Sequence, residues 1–405
     1  MGKLGLVLSG GGAKGAYEIG VVIALKRLGK KFDIVTGTSI GALNGIFVAS
    51  GDIRSALKLW KNISFNMIFD ENSFTACSDD NIVSIYKEYA KSFINDGGMD
   101  VSKIENILCK YFNPKKFYNS NIDYGLVTYN LSKHKPKIIS KKDLPNDIIK
   151  DYVIASASCY PAFKPKKIND DLYIDGGYYD NFPVSLAIEL GADEIIGVDL
   201  KAVGFKREIF NKGIPVTVIT PKNKIVSFLV FDKKQSREAL KFGYNDTMKK
   251  FGKLDGDVFT FKKGNLVKNY NKYNIKVEKC IKDLFSNVDN SVITVFSNPI
   301  KEFFESKLSY KNFNKVVEYA GKVFDLKEST IYRVTTYNNI LLDELYKTPI
   351  SKDILNTSKK NIVRMFFENV NKKDLTGVLK FIPLFPYEFL VSVYIYAIKS
   401  NKIFY

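Results

Sequence analysis

Histidine occurs once in these 405 residues, at His134, and that scarcity removes most of the usual imidazole chemistry. A triad with a histidine base would have to use His134, and no cluster of ring nitrogens exists to hold zinc. Cysteine is nearly as sparse: Cys77, Cys109, Cys159 and Cys280 show neither close pairing nor metal-ligand spacing. A disulfide framework and a thiolate metal site are therefore not expected, and neither is any metal or cofactor. Long apolar runs are missing as well. The most apolar stretch, Phe381 to Ile398, is broken by Pro383 and Pro386 and carries Glu388, whereas a membrane span takes about 20 uninterrupted residues. It is expected to form a buried core helix with Pro386 in its first turn. Met1-Gly2-Lys3 runs straight into an apolar strand signal, and Leu6 stands where a myristoylation motif wants Ser or Thr. The expectation is a cytoplasmic chain that meets the membrane only at its surface.

What the chain does have is glycine at telling places. Leu4 to Leu8 reads as a buried strand, Ser9-Gly10-Gly11-Gly12-Ala13-Lys14-Gly15 as a glycine loop, and Ala16 to Leu28 as a helix. Such a loop aims several backbone N–H groups at one spot beside a positive helix N-terminus, which makes an anion site. Gly10, Gly12 and Gly15 also satisfy the GxGxxG spacing of a dinucleotide fold, but that fold wants an acid at the end of its second strand. Here Asp33 opens the second strand, which ends in Thr36-Gly37-Thr38. The acid is at the wrong end.

Directly after that strand comes Gly37-Thr38-Ser39-Ile40-Gly41, followed at once by a helical pattern. Glycines around a serine at a strand-to-helix turn let the chain bend sharply and leave Oγ exposed, which is the layout of a nucleophile elbow. A serine hydroxyl needs a neighbouring base. His134 sits in the cationic stretch Lys133-His134-Lys135-Pro136, which reads as a solvated turn between two strands and is a poor place to hold a base. A carboxylate is the better candidate. Asp175 follows the apolar Leu172-Tyr173-Ile174 and precedes Gly176-Gly177, so it should end a strand at the same edge of a parallel sheet as Ser39.

With the glycine loop, the GxSxG and the Asp-Gly-Gly in this order, the chain resembles the patatin-like phospholipases, serine acyl hydrolases that work with a Ser-Asp dyad. Ala155-Ser156-Ala157-Ser158, Pro161 to Pro165 and Asp175 to Val184 fit the same family, and the resemblance covers about residues 1 to 220. It implies Ser39 as nucleophile and Asp175 as base. It further implies an oxyanion hole at Gly10, Gly11 and Gly12, with Gly10 shaping the turn. Lys14, Gly15, Gly37, Ile40, Gly41, Gly176 and Gly177 would support the site, Ile40 by adding an amide donor. Lys14 stands where the family often has arginine, which keeps the charge but loses the planar fork.

Strand signals at Leu4–Leu8, Phe32–Thr36, Tyr124–Tyr129, Leu172–Ile174, Glu194–Asp199 and Pro215–Ile219 alternate with helical stretches such as Ile40–Ser50. A further helix is expected to begin at Ser102, with Glu105 completing a capping box. That alternation predicts an α/β fold, a mostly parallel sheet flanked by helices. Trp60 to Asp80 is expected to pack in the core, the alternative being a lid. Beyond residue 221 helical periodicity takes over, with Ser236 to Phe251 docked on the first domain. The expected division is a hydrolase domain over 1–264 and a helical, basic domain over 265–405. The net charge of +18 is lopsided, +4 in residues 1–220 and +14 in residues 221–405, which suits an anionic membrane surface. No nucleic-acid motif accompanies it. The function expected is hydrolysis of phospholipid or lysophospholipid esters. The alternative is a lipid-binding or toxin-like effector whose hydrolysis waits on a partner. Nothing in the sequence fixes an oligomeric state.

Overall fold

Short, largely apolar runs become the central strands. In the computed structural model, which describes residues 2–68, 98–143, 148–208, 213–225, 229–286, 288, 308–350 and 354–400, the strands are β1 (Leu4–Leu8), β2 (Ile34–Thr38), β3 (Asp123–Asn130), β4 (Lys135–Ser140), β5 (Lys166–Ile168), β6 (Asp171–Asp175), β7 (Glu194–Val198) and β8 (Val216–Ile219). Strands β3, β2, β1, β7 and β8 lie side by side and parallel. Every residue of β1 and β2 is buried, as expected for strands covered on both faces.

The other strands break the parallel rule. Along Gly125–Asn130, β4 occupies one edge of β3, so β2 and β6 must share the other. There β2 pairs in parallel with Asp123–Val127 and β6 pairs antiparallel with Thr128–Asn130. The two strands meet head to head, Thr38 opposite Val127 and Asp175 opposite Thr128. Asp175 thus does not end a parallel strand, as the sequence suggested. It arrives from the opposite direction, and the register brings it to the end of β2. Only glycine fits the junction: a Cβ on Gly176 would stand 2.1 Å from the Val127 carbonyl oxygen and 2.9 Å from Cγ2 of Thr38.

The chain divides into two units, Met1–Lys250 and Phe251–Tyr405. The break falls ahead of the expected residue 264 because Leu254–Asp255 and Thr260–Lys262 form a small sheet with Ile331–Tyr332 of the second unit. In the first unit the helix Lys233–Lys250 packs on the helix Gly15–Arg27 with backbones nearly touching. A Cβ on Gly20 would meet the Leu240 carbonyl oxygen at 2.1 Å, one on Gly243 would meet that of Tyr17 at 2.0 Å, and Tyr17 Oη donates to Asp246 across the contact.

The helix at Ser102 begins where expected, over Ser102–Tyr111, but without the capping box. Asp100 Oδ1 accepts the Ser102 N–H at 2.6 Å, and Glu105 instead pairs with Lys166 Nζ at 3.1 Å. Trp60 and Ile68 are buried; residues 69–80 of the anticipated core segment or lid, Cys77 among them, lie outside the described residues.

In the second unit, helices Asn265–Phe285, Tyr310–Val323, Val334–Lys347, Lys359–Lys372 and Pro386–Lys399 enclose one apolar core. Pro386 does start the last helix, which buries Phe389, Leu390, Val391, Val393 and Tyr394, each worth roughly 1.5–3 kcal/mol for the large side chains. Its buried Tyr394 hydroxyl donates to Asn338 Oδ1 at 2.7 Å and accepts from Asn269 at 2.8 Å. No helix among the described residues is long and apolar enough to cross a membrane.

Candidate active site

The turn from β2 into the helix Ile40–Ala49 forces Ser39 to φ 56° and ψ −126°. A non-glycine residue held there stores about 1–3 kcal/mol, so its neighbours must hold it. Two of them are the flanking glycines: a Cβ on Gly37 would lie 2.3 Å from the Gly41 carbonyl oxygen, and one on Gly41 would lie 2.3 Å from that of Leu8. A third support is Ser156, on the helix Ile149–Ala157. Its Oγ accepts the Ser39 N–H at 2.9 Å and donates to the Val127 carbonyl at 2.7 Å. Ser156→Ala leaves two buried backbone groups unpaired, a loss of about 1–3 kcal/mol. Urea denaturation should show that loss; unchanged stability would mean the turn at Ser39 does not depend on Ser156.

Ser39 Oγ donates to Asp175 Oδ2 at 2.5 Å. The other oxygen, Oδ1, accepts from the Gly177 amide at 2.7 Å, and the Asp175 N–H donates to the Ser158 carbonyl at 2.9 Å. Two bonds hold the carboxylate and a third its backbone. Ser39 and Asp175 are 7 % and 5 % exposed. Burial pushes the Asp175 carboxyl up to about 6, against the pull of its hydrogen bonds from Ser39 and Gly177. A carboxylate so poised is ionised at neutral pH yet basic enough to take a hydroxyl proton in a transition state. The nearby Cys159 thiol is pushed up to about 12 by burial and by the Asp175 charge, so it stays protonated and does not compete as nucleophile.

The glycine loop lies against the same spot. A Cβ on Gly10 would stand 3.2 Å from Cβ of Ser39 and 2.1 Å from Asn181 Oδ1. The Gly10 N–H is committed to the Asn181 carbonyl at 3.0 Å, so Gly10 shapes the loop and is not itself a free donor. The amides of Gly11, Gly12 and Ile40 meet no acceptor among the described residues. Gly12 has φ 54°, open to glycine at no cost. Gly15 lets the first helix close on the elbow, since a Cβ there would meet Ile40 at 2.5 Å and Trp60 at 2.7 Å. Lys14 closes the short 3-10 turn Gly12–Lys14; burial lowers its ammonium, partly offset by Asp199.

Two cavities open on Ser39. One is a cleft of about 1220 Å³ reached by Lys14, Asp175, Gly177, Asn181, Lys201 and Lys224. The other is a narrow pocket of about 50 Å³. His134 lines neither; it is exposed in the turn between β3 and β4, with φ 49°. Ser156 and Asn181 stand in no local motif of their own, although both lie in stretches that carry the resemblance. A serine on an otherwise apolar helix face was the one visible sign.

Residues 6–188 match the family model described as Patatin-like phospholipase. A lysophospholipase nte1 of Aspergillus terreus is 29% identical over 213 residues, covering 50% of this chain and 12% of that protein. Lysophospholipase NTE1 of Candida albicans is 31% identical over 212 residues, covering 49% of this chain and 13% of its own length. The chain thus spans about an eighth of the length of these curated relatives. The crystal structure of VipD from Legionella pneumophila superposes with a TM-score of 0.41 and 17% identity, over 98% of this chain and 90% of that one.

Proposed function

We propose that this chain, whose residues 6–188 match the patatin-like phospholipase family model, hydrolyses carboxylic esters of phospholipids or lysophospholipids through an acyl-enzyme on Ser39. One observation carries the reading: the Ser39 Oγ to Asp175 Oδ2 hydrogen bond of 2.5 Å, set beside a glycine loop with uncommitted amides. Oγ attacks the ester carbonyl carbon as its proton passes to Asp175. The tetrahedral oxyanion is met by the amides of Gly11 and Gly12, with Ile40 as a further donor; each such donor contributes roughly 3–4 kcal/mol. Collapse expels the alcohol, which takes the proton back from Asp175. Water then attacks the acyl-Ser39 ester by the same route in reverse, with Asp175 again as base, and fatty acid leaves. The test is release of free fatty acid by the purified chain from phosphatidylcholine and lysophosphatidylcholine, read by mass spectrometry. Release from neither, with short esters also untouched, would overturn the reading.

The excess of +14 in residues 221–405 supports a peripheral contact with anionic membranes, at about 1 kcal/mol per basic residue near the surface. The intact chain is expected to sediment with phosphatidylserine vesicles far better than with phosphatidylcholine vesicles. That preference should fade in high salt as the Debye length shrinks. Equal, salt-insensitive sedimentation with both would make these lysines a solvated face only.

A further inference from the structure

Past the end of β7 the chain follows the rim of the wide cleft as the loop 199–208, of which Lys201 to Phe205 line the cleft that opens on Ser39. The loop's backbone is tied down. The Leu200 N–H donates to Ser9 Oγ at 2.9 Å, the Phe205 N–H donates to the Gly177 carbonyl at 2.9 Å, and the Phe205 carbonyl accepts the Asn181 N–H at 2.6 Å. These partners lie in the glycine loop and in the stretch after Asp175, so the rim is fixed to the same supports as the dyad. Its tip is apolar all the same. Val203 is 102 % exposed and Phe205 69 %, and Tyr178, which lines the same cleft, is 43 % exposed. A pinned backbone that holds a valine and a phenylalanine out in water forgoes the gain of burying them, and exposed apolar groups gathered at the mouth of a site mark a surface of contact.

We propose that the tip formed by Val203 and Phe205 enters the apolar layer of a phospholipid bilayer and so sets the mouth of the cleft against the lipid. The proposal rests on the acyl-hydrolase reading and names the surface through which that site meets its substrate. Three side chains are too few for a protein partner, since a standard interface takes about 800 Å² from each side. A bilayer needs no such matched area, because each apolar side chain gains by leaving water on its own. With the tip inserted, a lipid ester passes from the membrane into the cleft without exposing its acyl chains to water. Charge plays the smaller part at this rim: Lys201, Lys206 and Arg207 stand against Asp199 and Glu208, and Lys206 Nζ is already held by Asp199 at 2.7 Å. Attachment through the tip therefore resists salt, unlike attraction carried by the basic residues of 221–405.

Fluorescence tests this cleanly, because the chain has one tryptophan, Trp60, which is buried with its indole N–H bonded to Asn44 Oδ1 at 2.8 Å. Wild type thus supplies a steady blank. In the intact chain, Phe205→Trp mixed with phosphatidylcholine and phosphatidylserine vesicles should shift its emission to the blue and be quenched by lipids brominated on their acyl chains. In a second measurement, Val203→Ser combined with Phe205→Ser should lower the partition coefficient at least about tenfold, by the same factor on both lipids and at low and high salt. Emission from Phe205→Trp that stays unshifted and unquenched while the protein sediments with the vesicles would overturn the proposal. So would a serine pair that partitions like wild type. Either result with fatty acid still released overturns the docking alone, whereas a quenched tip on a chain that cleaves no ester supports the docking and overturns the hydrolase reading.

Discussion

Ser39→Ala is expected to lower ester turnover by at least about a thousandfold while the protein stays folded, and Asp175→Asn to do nearly as much. Alanine keeps the elbow backbone and its hydrogen bond to Ser156 but removes the attacking oxygen. Asparagine keeps the acceptor for the Gly177 amide, which Asp175 Oδ1 receives at 2.7 Å, and loses the base. What survives in either variant is the contribution of binding and the loop amides. His134→Ala, by contrast, should keep a near-wild-type rate, since that residue lies exposed in the β3–β4 turn. Steady-state kinetics with circular dichroism on all three variants checks this. A collapse in the histidine variant with its fold intact would overturn the dyad.

The second large effect is in pH. With the Asp175 carboxyl at about 6, kcat/KM should be flat at neutral pH and fall about tenfold per unit below that value, some hundredfold by about pH 4. An ordinary carboxylate base would hold its rate down to about pH 4. The same displacement has a stability sign. Asp175 has a folded value raised above its unfolded one by burial, so the folded state favours the protonated form. Its stabilising contribution is full below the ordinary value of about 4 and is lost as pH rises through about 6. At neutral pH the buried charge therefore costs up to roughly 3 kcal/mol. Asp175→Asn removes that cost. Thermal melts should find the variant more stable than wild type at pH 7.5, with the gap closing toward pH 4. A gap that widens on acidification would mean the carboxylate is stabilised by its site.

Much of this site is legible in the sequence because its demands are local. A serine at φ 56° needs glycine beside it, and a loop whose amides must approach a ligand needs glycine within it, so Gly37, Gly41 and Gly10 to Gly12 announce themselves. Strands β1 and β2 are equally visible, every residue buried, β1 apolar throughout and β2 opening on Ile34-Val35. What could not be read is whatever depends on distant partners. Leu172-Tyr173-Ile174 marks a strand but carries no direction, and only pairing with β3 reveals that β6 runs against the sheet. Ser156 holds the Ser39 amide across 117 residues of chain, a contact that no local pattern encodes. Glu105 had the spacing of a helix cap, yet Lys166, 61 residues on, takes it. The division at Lys250 was displaced from residue 264 for the same reason, since strands of two and three residues leave almost no periodicity to detect.

Activation of Ser39 by Asp175 would have a chemical signature. Treating the intact protein with a fluorophosphonate and mapping the adduct by peptide mass spectrometry tests it most directly, because the probe bonds only to an activated hydroxyl. A single adduct is expected on Ser39, absent from Ser39→Ala and strongly slowed in Asp175→Asn. An adduct on another residue, or labelling of Ser39 that proceeds as fast in Asp175→Asn as in wild type, would contradict it.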